Sequence, residues 1–152
     1  MTDTIQDPIT GKEAFGDMTR AYDALVEFYA AFNAGDFGLM SKDASMSNPL
    51  GGIRRGWREI RTVYENIFNG PAEVYVEYYD YAILEGDGFF QAVGRERGTF
   101  TLGETSVDLK IRTSRTYVLH EGRYRQLHHH GSIEDPALLK AYQDSVLSAS
   151  QA

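Results

Sequence analysis

The sequence predicts an α+β domain whose helices pack on one face of a bent antiparallel sheet, and three observations carry that expectation. Up to Phe68, apolar residues recur at three- and four-residue steps, the period of an amphipathic helix. After Pro71 the period changes to two, over four long runs rich in β-branched and aromatic residues. The separators between those runs are three or four residues, too short to join anything but antiparallel neighbours. Helices first and a meander second is the layout in which one helical layer covers one sheet face.

Residues 1–16 are polar, carry Pro8, Gly11 and Gly16, and read as a loose extension. Tyr22, Leu25, Val26, Phe28, Tyr29 and Phe32 then form the apolar stripe of a first helix, which Asn33-Ala34-Gly35-Asp36 stops through a left-handed Gly35. Asp36 can cap a shorter second helix through Leu39 and Met40. Ala44–Asn48 reads as a short strand and Pro49–Gly52 as a turn. Trp57–Phe68 reads as a third helix, with Trp57, Ile60, Val63, Tyr64, Ile67 and Phe68 on its apolar side. The meander strands are expected at Ala72–Leu84, Phe89–Thr101, Thr105–Leu119 and Arg123–Ile133, and Pro136 opens a last helix to Leu147. The chain thus divides into an extension (1–16), one domain (17–135) and a C-terminal helix with its tail (136–152).

A chain of 152 residues can bury a sizeable core as one domain without staples. Cysteine is absent, which excludes disulfides, thiolate metal sites and cysteine nucleophiles. A net charge of −7 and a pI near 5.0 repel a phosphate backbone, so no nucleic-acid partner is expected. No apolar run approaches the roughly 20 residues of a membrane span, and Met1–Asp7 lacks the basic and apolar regions of a signal peptide. The expectation is a cytoplasmic protein with no membrane partner. Ten Tyr, eight Phe and one Trp are enough aromatics for both a core and a ligand pocket.

Two segments support a resemblance: Phe28-Tyr-Ala-Ala-Phe-Asn-Ala-Gly-Asp36, and Asn48-Pro-Leu-Gly followed by Gly56, Ile60 and Tyr64. Together they resemble the nuclear transport factor two-like superfamily, which includes SnoaL-like proteins and ketosteroid isomerases, over roughly Met18 to Ile133. The resemblance implies a cone-shaped fold. Ser114-Arg115-Thr116-Tyr117, Glu121-Gly122-Arg123-Tyr124 and His128-His129-His130-Gly131-Ser132 are similar to the association domain of calcium/calmodulin-dependent protein kinase. That superfamily hosts isomerases, dehydratases, hydrolases, cyclases and binding modules, so the fold alone assigns no reaction. By the isomerase comparison the proton-shuttle Asp falls on Asn48, the helix Tyr on Phe28, and the second Asp on Arg115 or Thr116. An amide is no general base, so isomerisation by that mechanism is not expected. By the kinase comparison the arginines of an acid-binding pocket match Arg95 and Arg115, while its histidine falls on Ile60, its tryptophan on Phe68 and its third arginine on Gly131.

Arg95 and Arg115 are the most informative candidates. Phe89, Gln91, Val93, Arg95 and Arg97 share one strand face, and Val107, Leu109, Ile111, Thr113, Arg115 and Tyr117 share one face of the next. The second face is apolar, so Arg115 should be buried. A buried guanidinium cannot shed its proton and needs an acid or a ligand anion. Two readings stay open: an internal pair with Glu77, Glu96 or Asp80, or a carboxylate or phosphate clamp. Pairing outward from Gly103 sets Arg95 opposite Ile111 and Arg115 opposite Gln91, about 13 Å apart along one face at ~3.3 Å per residue. Arg115 is then the principal ligand anchor and Arg95 a second contact or gate.

His128, His129 and His130 alternate across the strand and cannot chelate one ion together, so no metal and no cofactor is expected. With the kinase comparison setting the phase, His129 shares the concave face with Arg125 and Leu127 and is the candidate acid or base. A β-bulge would reverse that choice. Asn48, Trp57, Tyr64 and Phe68 are further ligand-contact candidates on one wall of the cone. Tyr75, Tyr78, Tyr79 and Tyr81 alternate, so some must lie on the outer sheet face, where a homodimer would cover them. The leading expectation is a pocket for an acidic or polar small molecule. The alternatives are a SnoaL-like or dehydratase-type enzyme, with His129 as proton shuttle and Arg115 stabilising an enolate, and an assembly module with a vestigial pocket.

Overall fold

The apolar stripe of the N-terminal half forms α1 (Ala21–Ala34), in which Leu25, Val26, Phe28 and Tyr29 are buried. Gly35 ends it: its left-handed φ of 66° turns its N–H back to the Phe32 carbonyl. The computed structural model describes residues 6–35, 45–47 and 53–151. The expected second helix through Leu39 and Met40, Asn48 and the Pro49–Gly52 turn lie outside the described residues. Two short strands, β1 (Ser45–Ser47) and β2 (Ile53–Arg55), pair antiparallel and lead into α2 (Gly56–Phe68). Ile60 and Tyr64 are the buried positions of α2, while Arg58, Arg61 and Thr62 stay exposed.

The meander follows as β3 (Glu73–Gly86), β4 (Phe89–Leu102), β5 (Thr105–His120) and β6 (Arg123–Ile133), and α3 (Pro136–Gln151) closes the chain. The sheet order is β2-β1-β6-β5-β4-β3. Alternation sets the inner face: Phe90, Ala92, Glu96 and Phe100 on β4, and Val107 through Tyr117 at every second position on β5, are buried. The helices lie on that face, α3 through a Tyr142–Phe100 ring contact at 5.5 Å. The opposite, outer face leaves Leu84, Phe89, Val93 and Leu127 exposed. Gly98 allows a close strand approach that no side chain could, because a Cβ there would meet the Tyr75 carbonyl oxygen at 1.8 Å. No described helix is long and apolar enough to cross a membrane.

Four expectations need correction. Parallel pairing of β1 with β6, Ser45 beside His128 and Ser47 beside His130, has no counterpart in the expected meander, and β2 was not expected as a strand. The turns are two residues, not three or four: Leu102 pairs with Thr105 and His120 with Arg123, so the strands run further than their composition suggests. The one-residue difference at Gly103 moves Arg95 opposite Arg112 and Arg115 opposite Ala92. Neighbours in register share a face, so Arg95 and Arg115 end on opposite faces of the sheet. Finally, residues 6–16 are not loose. Ile9 is completely buried and exchanges backbone hydrogen bonds with Tyr78 at 2.9 and 2.8 Å, and Gln6 brackets the Tyr81 backbone.

Ile9→Ala is expected to lower the unfolding free energy by about 2–4 kcal/mol in urea titrations, the cost of emptying a fully buried site. A change under about 0.5 kcal/mol would return this segment to the status of a loose extension.

Candidate functional site

Polar side chains gather on the inner face where β4, β5 and β6 run under α1 and α2. Arg115 is 1% exposed. Its Nη2 donates to Glu96 Oε2 at 3.0 Å, its Nη1 to Gln126 Oε1 at 2.8 Å, and its Nε to Tyr29 Oη at 3.4 Å. The Phe28 ring covers the guanidinium, with its centroid 3.6 Å from Cζ. Burial opposes the charge, and Tyr29 and Glu96 more than offset it, so Arg115 stays protonated. Burial, then Glu96, pushes the Tyr29 phenol well above its ordinary range, and the intact hydroxyl donates to Glu96 Oε2 at 2.7 Å. Of the two readings of Arg115, the structure supplies the internal pair, with Glu96.

His129 stands opposite Arg115 in the β5–β6 register, on the same inner face. It is 8% exposed, and neither ring nitrogen has a hydrogen-bond partner among the described residues. Burial above all, then Arg115 and the flanking His128 and His130, holds its pKa well below 6.5, so the ring is neutral at pH 7. His129 owes this place to a β-bulge at Leu127: Tyr117 pairs with Gln126, but Thr116 pairs with His128. Continued without a bulge, the hairpin from His120–Arg123 would set His128 opposite Arg115. The inner companions of His129 are therefore Gln126 and Tyr124, not Arg125 and Leu127; Leu127 is 42% exposed.

The remaining candidates separate. Tyr64 is buried under the cone, its ring 5.9 Å from Phe68 and 6.3 Å from Phe32. Phe68 and Trp57 are half-buried beside the core. Arg95 is on the outer face, bridged by Asp80 at 3.2 Å and Glu134 at 2.8 Å, while Arg97 takes the other Glu134 oxygen at 3.0 Å. An open groove there is lined by Asp80, Val93, Arg95, Arg112, His130 and Ser132, and its solvated charges are already partly paired. On the inner face, Thr113 Oγ1 and both His129 ring nitrogens are buried polar atoms without hydrogen-bond partners among the described residues. Sequence reasoning passed over Gln126 and Thr113. The i, i+2 spacing of Thr113 from Arg115 was the signal for one, and nothing in the sequence marks the Leu127 bulge that brings Gln126 and His129 to one face.

Helices stacked on a bent sheet with polar groups on its concave face define the class of NTF2-like, cone-shaped folds. The chain belongs to the SnoaL-like domain family, whose profile matches residues 22–136. Among similar solved structures is a candidate dehydratase of the NTF2-like family from Streptomyces avermitilis, at 16% identity and TM-score 0.69 over 77% of this chain and 95% of that one. A ketosteroid isomerase-like protein from Erwinia carotovora atroseptica matches at 15% identity and TM-score 0.68, over 79% and 98%. A candidate calcium/calmodulin-dependent protein kinase type II association domain from Thiobacillus denitrificans matches at 17% and 0.64, over 81% and 100%. At such identities these likenesses show the fold. No curated protein matches the chain.

Two outcomes follow from the buried network. Arg115→Met leaves Glu96 buried without its cation and should cost about 3–5 kcal/mol in urea, most of it recovered when Glu96→Gln is added. A single variant as stable as the parent would show that the pair contributes nothing. His129 is neutral when folded but binds a proton below about pH 6.5 when unfolded. The unfolded chain therefore holds the extra proton, and stability falls by up to about 1.4 kcal/mol per pH unit as pH drops from 6.5 towards the depressed folded value. In urea titrations from pH 7.5 to 5, His129→Phe should lose this one-proton slope; an unchanged slope would show that His129 is not buried neutral.

Proposed function

We propose that the inner face of the sheet holds a small, uncharged ligand carrying a carbonyl or hydroxyl, and that His129 is the group that hydrogen-bonds to it. The observation that carries this reading is the buried, neutral imidazole with both nitrogens unmatched among the described residues. One ring nitrogen donates and the other accepts, which suits a hydroxyl or a carbonyl. Charge balance supports an uncharged ligand over an acid. Arg115 and Glu96 cancel, and Phe28 caps the guanidinium, so among the described residues a carboxylate entering beside His129 would meet no free cation there. Of the two ligand chemistries expected from the sequence, acidic or polar, the geometry favours the polar one.

The second reading is proton transfer on such a ligand, with His129 carrying the proton. The same unmatched nitrogens favour it. The dehydratase and ketosteroid isomerase-like descriptions of two fold neighbours support it by analogy.

Cyclohexanone and cyclohexanecarboxylate separate the ligand classes. Imidazole nitrogen signals of His129, assigned by their loss in His129→Gln, should move with millimolar cyclohexanone and stay in place with the carboxylate. Signals that ignore the ketone, or a carboxylate response that disappears in Arg115→Met, would overturn the reading.

A further inference from the structure

Thr113 lies two residues from Arg115 on the same face of β5 and is 3% exposed. The other inner positions towards the start of β5 are Val107, Leu109 and Ile111, a face that valine would complete with nearly the same shape. Thr113 instead buries a hydroxyl, and its Oγ1 has no hydrogen-bond partner among the described residues. The backbone of Thr113 is engaged: its carbonyl accepts the Tyr78 hydroxyl at 3.2 Å. Only the side-chain oxygen is left over. A buried hydroxyl without a partner destabilises the empty protein, so its presence calls for an occupant.

The neighbours of Thr113 in register are both glycines, Gly94 on β4 and Gly131 on β6, so across three strands it is the one side chain of its row on the inner face. On the β4 side aromatic rings fill the space: a Cβ at Gly94 would stand 2.8 Å from Tyr81 Cβ and 2.9 Å from Tyr78 Cζ. On the β6 side Gly131 raises no side chain, and the next inner residue along that strand is His129, another buried group with polar atoms unmatched among the described residues. Thr113 and His129 thus flank one glycine on a cross-strand diagonal. Such diagonals place residues roughly 7–8 Å apart, their Cβ atoms somewhat closer, and neither Thr113 Oγ1 nor a His129 nitrogen has a partner among the described residues. That spacing is wide for the two side chains to satisfy each other, and it suits a molecule between them.

We infer that Thr113 is a second ligand anchor and a specificity determinant of the pocket proposed above. The ligand class is a neutral compound with two oxygen functions at opposite ends of a small ring or short chain, one held by His129 and the other by the Thr113 hydroxyl. This inference rests on the His129 reading and adds the second contact to it.

The probes are cyclohexanone, with one oxygen, and 4-hydroxycyclohexanone, with a second across the ring. Affinities are read by titrating the His129 imidazole signals. The parent protein should bind the hydroxyketone about tenfold more tightly than the ketone, the usual worth of one well-made buried hydrogen bond. Thr113→Val should erase that advantage and leave cyclohexanone binding unchanged, while Thr113→Ser should keep most of it. Thr113→Val should also melt no lower than the parent without ligand, since it removes an unmatched hydroxyl at constant shape. Equal affinities in the parent, or an advantage that survives Thr113→Val, would overturn the Thr113 role while leaving the His129 pocket standing. A parent protein that binds neither probe would overturn both. Weakening of both probes alike in Thr113→Val, with a lowered melting temperature, would make Thr113 a structural residue and end the proposal.

Discussion

A guanidinium under a helix is the constraint around which the inner face is arranged. Arg115 cannot become neutral, so its charge must be met where it lies. Glu96 reaches it from β4, Gln126 from β6 and Tyr29 from α1, and Phe28 closes the remaining face of its plane. The three hydrogen-bond partners come from three different elements. The network therefore forms only when α1 is docked and all three strands are in register, which makes the polar centre specific to one arrangement of the fold.

That arrangement also sets what the site can be. With the charge of Arg115 matched by Glu96, the environment of His129 combines low polarity with a neighbouring fixed cation, and both keep the imidazole neutral. An exposed arginine would have made the concave face an anion trap. A paired one leaves that face formally neutral around Arg115 and Glu96.

Most of the fold was legible because its signals are periodic. The helix ending at Gly35, the α2 stripe and the four strands fall within a residue or two of where the pattern puts them. The buried position of Arg115 was legible for the same reason, since it interrupts an otherwise apolar face. Glu96 was one of three acids within plausible reach, and only the register chooses among them. Register itself depends on turn length, and a turn one residue shorter than its composition suggests carried Arg95 to the far side of the sheet. Features that break the period, the Leu127 bulge above all, have no compositional mark. Fastening of Ile9 to Tyr78 was illegible for another reason: a single buried residue in a polar stretch has no pattern to betray it.

The run of three histidines has a consequence beyond the choice of His129. A β-bulge shifts the phase of a strand by one residue, and β6 already contains one at Leu127. A slip of one residue in either direction would carry His128 or His130 to the place opposite Arg115. The position is redundant: whichever neighbouring phase the strand adopts, an imidazole faces the guanidinium. Chemistry at that point would survive a pairing error that would erase any site written with a single residue.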